Sequence, residues 1–254
     1  MNIVVEVIKN YLILLPPVRY WAKKSHRTGA NNDEKIISER CDALLSIIPF
    51  QSSSAQLGDN SFNIAEFGPG QTIGLISELR RRTKSNHAFA CDVECYFPLN
   101  FITQQGVDFI KSNQYSNGLP DSSVDFAYCF DVLEHVRKPK SFLQDVWRVM
   151  KPGGIFFATW DLRDHFFLSK EEMWFNMHRY SELNWWLMTS NRSNYVNRVD
   201  RKKWLDIITE VGFYIDDISI EQSRVARDSF FQAVGIQIDD AFRITATLSK
   251  SSVV

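Results

Sequence analysis

The sequence is short of the features that would place it in a specialised class. Its four cysteines, Cys41, Cys91, Cys95 and Cys129, include no CxxC pair, which removes the usual spacing of a zinc ribbon or a redox dithiol. Cys129 lies in an apolar run that reads as a buried strand, and reduced thiols in a cytoplasmic protein are expected. Excess charge is missing as well. With 29 Lys plus Arg against 30 Asp plus Glu, no strong field draws the chain to phosphate backbones, and nucleic acid is not expected as a partner. Long apolar runs are missing too. The opening MNIVVEVIKNYLILLPPV is interrupted by Glu6 and Lys9 and stops at Pro16 and Pro17, so neither a cleaved leader nor a membrane-spanning helix is expected. Internal repeats and low-complexity tracts are absent.

What is there is ordinary globular material, 44% hydrophobic and 23% charged over 254 residues, enough for one α/β domain with insertions. Residues 1–60 read as an N-terminal helical cap. Within it Val4, Val5, Ile8, Leu12 and Leu15 recur at helical spacing. Core packing is the first reading of that face, with a partner surface or peripheral contact with a membrane as alternatives. The polar segment Gln51 to Ser61 carries turn formers and marks the start of an α/β unit over residues 61–254.

From Phe62 onward short apolar runs alternate with helix-period stretches: FNIAEFG, GLISELRRRT, AFACDV, VDFIKS, VDFAYCF, SFLQDVWRVM and GIFFATW. Strand and helix in alternation imply a doubly wound α/β fold, a mainly parallel sheet with helices on both faces. Pro152, Gly153 and Gly154 are expected to end the helix that carries Val146 and Val149. Residues 161–200 break the pattern with Trp, Asn and Arg and read as a helical insertion. Two further strand candidates, YIDDISI and FRITATLS, follow the helix RKKWLDIITEVGF.

Chemistry concentrates at IAEFGPGQTIGL. Ile64 and Ala65 end a strand, and Gly68, Pro69 and Gly70 turn toward a helix beginning near Thr72, the place where open parallel sheets bind ligands. A dinucleotide fingerprint would need its third glycine one place before Gly74. Glu66, set before the turn, repels a pyrophosphate and attracts an ammonium or a sulfonium. Asp92 ends the next strand roughly twenty residues on, where an acid accepts both hydroxyls of a ribose. A plain strand-to-helix turn and a helix N-cap are the bland alternatives.

Together with AEFGPG (Ala65 to Gly70) and ACD (Ala90 to Asp92), the blocks LPDSSVDFAYCFDVLEHV (Leu119 to Val136) and VMKPGG (Val149 to Gly154) stand in one order. The chain thereby resembles class I S-adenosylmethionine-dependent methyltransferases of the subgroup with a DVLEHV-type fourth strand. The resemblance implies a Rossmann-like seven-stranded sheet whose last strand is antiparallel. It also implies S-adenosylmethionine as methyl donor, with Glu66, Gly68 and Gly70 around its methionine portion and Asp92 on the ribose. Asp131, Val132 and Leu133 would lie along the cofactor, and Asn113 replaces the acid that the family often has at the adenine.

A sulfonium methyl is already activated, so the protein has to align an acceptor, exclude water and take a proton. His135 and His165 are the candidate bases, with Asp161 or Asp164 to orient His165. Asp164, Arg179, Tyr180, Asn197 and Arg198, set among aromatics, are expected to line the acceptor pocket. Aromatic platforms beside Asn, Arg and Asp suit a polyhydroxylated acceptor such as a sugar. The second candidate acceptor is a quinone or another lipid-linked aromatic, and a scaffold that has lost its chemistry is the non-enzymatic alternative. Asp161, Asp164 and His165 have metal-ligand chemistry at close spacing, but helix capping accounts for them and no metal is expected.

Overall fold

Ile64 and Ala65 are neighbours in the chain, both fully buried, and they belong to two different cores. The computed structural model that shows this describes residues 2–25, 33–48, 62–113, 116–192, 195–223 and 241–252. The segment Gln51 to Ser61, expected to open the α/β unit, lies outside the described residues.

Both residues sit on β1 (Asn63–Phe67), a central strand whose side chains alternate between the two faces of the sheet. β2 (His87–Asp92), β3 (Asp108–Lys111), β4 (Val124–Phe130) and β5 (Met150–Asp161) run parallel to it. β7 (Ala241–Lys250) inserts antiparallel between β5 and β6 (Phe213–Gln222). The order is β3-β2-β1-β4-β5-β7-β6, seven strands, mainly parallel, as the family resemblance implied.

One face carries Ile64, Ala90, Phe126 and Tyr128, covered by α3 (Glu34–Ile47), α4 (Gly74–Thr83) and α5 (Leu99–Gln104) through Cys41, Leu44, Ile76, Leu79 and Ile102. The opposite face carries Ala65, Phe67, Cys129, Phe156 and Trp160. It is covered by α6 (Pro139–Val149) and α8 (Arg201–Val211) through Leu143, Val146, Trp204 and Ile208. Gly74, the late third glycine, lies where α3 meets α4: a Cβ there would come within 2.7 Å of Ile37 Cδ1.

Pro152 and its glycines act one step later than expected. The helix ends at Val149 without them, and the strand opens at Met150, which pairs with Val124 before pairing resumes at Ile155 and Phe126. Lys151 to Gly154 form the intervening bulge, where proline's missing N–H is not required by the ladder.

The N-terminal segment holds α1 (Ile3–Leu12) and α2 (Pro16–Ser25) besides α3. The expected core-packing face of α1 is turned outward: Val4, Val5, Ile8, Leu12 and Leu15 are all exposed. Its buried residues are polar. Glu6 meets Arg192 at 2.7 Å, and Asn10 donates to Leu187 O at 2.8 Å and accepts from Asn191 N at 2.8 Å. α1 thus docks on the segment after β5. Among its described residues that segment contains two 3-10 turns, Glu171–Met173 and Asn176–Arg179, and one α-helix, α7 (Glu182–Thr189), capped by Ser181.

Candidate functional site

The strand order reverses between β1 and β4, and the crevice outside their carboxyl ends is where an open α/β sheet binds a ligand. Glu66, at the end of β1, is 7% exposed, and its Oε2 accepts no hydrogen bond. Burial drives its pKa up to about 8, against the pull of the Tyr128 hydroxyl and Arg40, while Asp92 adds to the rise. Tyr128 Oη has no hydrogen-bond partner either, so the pair is adjacent without being bonded.

Gly68 follows with φ +71, and its N–H donates to Cys91 O at 2.8 Å. Gly70, with φ +62, donates its N–H to Asp92 Oδ2 at 3.0 Å, while Glu94 N–H reaches Asp92 Oδ1 at 3.2 Å. The Asp92 carboxyl is raised by burial and pulled back by those backbone donors. One acid that needs a cation and one set among backbone N–H groups therefore flank the glycine turn.

At the end of β4 the chain makes a sharp exit. Asp131 adopts φ +55, donates its N–H to Thr159 O and holds Arg243 of β7 at 2.6 Å. Val132 closes over Gly68. Leu133, expected along the cofactor, is fully buried in the core, because the 3-10 turn Leu133–His135 points it under the sheet end.

That turn brings the two candidate bases together. His135 and His165 come from separate segments, yet their rings stand 4.9 Å apart, edge to face. His135 Nδ1 lies 2.6 Å from Tyr195 O; a carbonyl only accepts, so this nitrogen carries the proton. Burial lowers both pKa values, and the neighbouring His135 helps bring His165 to about 4. Glu134, which directly precedes His135, is fully buried and raised well above the carboxylate range, first by burial and then by Asp131.

The orienting carboxylate foreseen for His165 is not in place. Asp161 Oδ2 is 3.9 Å from His165 Nε2, and its oxygens are taken by Arg163 at 2.5–3.0 Å. Asp164 is fully buried and accepts Phe166 N–H at 2.9 Å, with burial raising its pKa to about 6.

Several expected pocket residues are committed to the protein's own backbone. Asn197 donates to Leu133 O at 2.8 Å and Val136 O at 3.0 Å and accepts from Val199 N, so it braces the turn that carries His135. Arg198 donates to Met177 O and Tyr180 O and pairs with Glu182. Tyr180 stacks against Trp185 at 6.2 Å. Arg179 ends a 3-10 turn. Asn113 Oδ1 already accepts Ser116 N–H at 2.9 Å, which closes the loop after β3. Arg40, Tyr128 and Arg243 join the site without having been foreseen. Nothing local marks them, since each is brought in by tertiary packing.

Residues 66–158 match the model of a methyltransferase domain. A probable S-adenosylmethionine-dependent methyltransferase of Mycolicibacterium smegmatis is 30% identical over 102 residues, which are 38% of this chain and 37% of that protein. A sterol 24-C-methyltransferase of Neurospora crassa is 23% identical over 100 residues, 39% of this chain and 26% of that protein. The chain thus aligns with well under half the length of these relatives. Among solved structures, phosphoethanolamine N-methyltransferase 2 of Haemonchus contortus in complex with S-adenosyl-L-methionine has a TM-score of 0.53 at 14% identity, over 84% of this chain and 52% of that one. The matched segment runs from Glu66 at the glycine turn to Ala158 in β5, and along it the chain is similar to S-adenosylmethionine-dependent methyltransferases.

Proposed function

We propose that the chain transfers a methyl group from S-adenosylmethionine to a hydroxyl of a small-molecule acceptor held against His135 and His165. The observation that carries this reading is the unpartnered, buried Glu66 Oε2 beside a glycine turn that has no room for a side chain at position 68. Such a group suits the cationic portion of the cofactor, and Asp92 suits its ribose. When bound, the sulfonium supplies a methyl group that needs no further activation. What remains for the protein is to place the acceptor oxygen in line and to exclude water. His135 and His165 stand where a proton from that oxygen would be taken up.

The sugar-type acceptor rests on the aromatic platforms expected from the sequence, of which Trp185 is buried in a small core with Met177 and Met188 and Tyr180 stacks on it. That acceptor loses the directional contacts expected of Asn197 and Arg198, which are spent on backbone carbonyls. A lipid-linked aromatic acceptor is the second reading, favoured by the outward apolar stripe of α1 and by Tyr20 and Trp21, which are 62% and 66% exposed on α2.

Calorimetry with S-adenosylmethionine and S-adenosylhomocysteine tests the first claim. Binding of both, weakened at least about tenfold in Glu66→Ala, is the expected result. Absence of binding, or unchanged affinity in the variant, removes the methyltransferase reading. Full binding with no methylated product across sugar, quinone and phenol panels would return the scaffold alternative. Co-sedimentation with vesicles of mixed neutral and anionic phospholipid separates the acceptor classes. Binding that Ile8→Asp and Leu12→Asp abolish points to the lipid-linked acceptor.

A further inference from the structure

Glu134, His135 and His165 each offer one ligand atom, and those three atoms all lie within 4.8 Å of one another. Each residue is prepared for such a role by its neighbours. The Oε1 atom of Glu134 accepts Asp161 N–H at 3.2 Å, which fixes the carboxylate, while Oε2 is buried and accepts nothing. The bond from His135 Nδ1 to Tyr195 O leaves Nε2 with the free lone pair and sets the ring's orientation, the usual outer support of a metal-bound histidine. His165 Nε2 is buried and without a hydrogen-bond partner.

The surrounding acids are already balanced. Asp131 is held by Arg243 and Asp161 by Arg163, each through charge-assisted hydrogen bonds. Among the described residues Glu134 has no such partner, although it is the most deeply buried of the three. Two imidazole nitrogens and one carboxylate oxygen suit first-row transition ions and zinc, and are a poor set for calcium. Ligand atoms around such an ion stand about 3–4 Å apart, so the trio closes on it with side-chain shifts below about 1 Å.

We propose that Glu134, His135 and His165 form a binding site for one divalent metal ion of the Mn2+ or Zn2+ class, at the carboxyl end of β4. This departs from the sequence expectation of no metal, and from the only ligand set weighed there, because Asp161 is spent on Arg163 and the close group is made by Glu134 and His135 with His165, without Asp164. Three protein ligands leave adjacent positions open, and two neighbouring oxygens of an acceptor are the chemistry that fills them. A metal-held hydroxyl ionises more readily than a free one, so the ion takes over the part given to a histidine base. That use rests on the methyl-transfer reading; the ion site itself does not.

The test is titration of the full chain, stripped with EDTA, with Mn2+ by calorimetry and electron paramagnetic resonance, and with Zn2+ by competition. One ion per chain is expected. Glu134→Gln, which keeps the buried shape, and His165→Ala, at the more exposed edge, should each weaken binding by more than the roughly 10–100-fold that loss of an outer-shell partner costs. Thermal unfolding and S-adenosylhomocysteine affinity report whether each variant is intact. A wild-type chain that binds neither ion overturns the proposal, and so does equal binding by folded variants. Binding of Mn2+ by a chain that fails to bind S-adenosylhomocysteine supports the ion site while removing the methyl-transfer reading.

Discussion

Gly68 lies so close to Val132 that a Cβ at position 68 would stand 2.5 Å from Val132 Cγ2. The contact joins the end of β1 to the end of β4, the two strands on either side of the reversal in sheet order. Because Gly68 also has φ +71, an L side chain there meets backbone strain and overlap at once. Gly68→Ala is expected to destabilise the fold by about 2–4 kcal/mol, the sum of left-handed strain and overpacking. Urea unfolding measures this. Val132→Ala in the same chain should relieve the overlap and leave the strain, so a double variant no more stable than Gly68→Ala alone would show that the contact is not what the glycine serves.

A pH dependence follows from Glu66. Its pKa in the free fold is raised to about 8, chiefly by burial, from an ordinary 4.5. A cationic ligand favours the ionised form, so binding below pH 8 must first remove a proton. Cofactor affinity should therefore rise about tenfold per pH unit between pH 6 and 8 and level off above. For stability the sign is the opposite. The raised pKa means that the fold holds this proton more tightly than the unfolded chain. The contribution is full below pH 4.5 and lost as pH rises through 8, at about 1.4 kcal/mol per unit. Glu66→Gln should flatten both slopes, and calorimetry and denaturation from pH 5 to 9 would read them.

The cofactor end of the site was legible because its parts are local. Glu66, Gly68, Gly70 and Asp92 owe their positions to strand ends and a single turn, and strand ends follow from apolar runs of the right length. His135 and His165 were found as residue types, but their meeting was not, since it needs the exit of β4 to face the exit of β5. Arg243, Arg40 and Asn197 show the limit more sharply. Each reaches the site across the fold, and no spacing in the sequence registers the pairs they make.

Helix α1 misleads a periodicity argument for a different reason. Apolar spacing finds the stripe of Val4, Val5, Ile8 and Leu12 but not its direction, and here Asn10 and Glu6 decide the direction through bonds to residues near position 190. Asn10 is fully buried with three hydrogen bonds, to Leu187 O, Ser190 Oγ and Asn191 N. Asn10→Leu fits the hydrophobic pattern better and should nevertheless loosen α1, since it leaves buried partners unsatisfied at about 1–3 kcal/mol. Hydrogen exchange should then quicken across Ile3–Leu12 and Glu182–Thr189 and stay unchanged in β1 and β4. Equal protection in the variant would mean that the apolar residues, and not Asn10, hold the helix down.

Asn197 carries the last prediction. Its amide donates to Leu133 O and Val136 O, and its own N–H reaches Glu134 O at 2.8 Å, so one residue fastens both ends of the turn that presents His135. It makes no bond to Glu66, Gly68, Gly70 or Asp92. Asn197→Ala frees the two carbonyls and lets the turn drift, and a displacement of about 1 Å costs on the order of a hundredfold in rate when it misplaces a reacting group. Turnover should therefore fall steeply while S-adenosylhomocysteine affinity stays within about twofold, a difference small on the scale of tenfold per 1.4 kcal/mol. Single-turnover methylation and calorimetry on the same preparation would separate the two. Parallel losses in both would place Asn197 under the cofactor crevice instead of beside the acceptor, because only a collapse of the β4 exit as a whole would carry Val132 and the glycine turn with it.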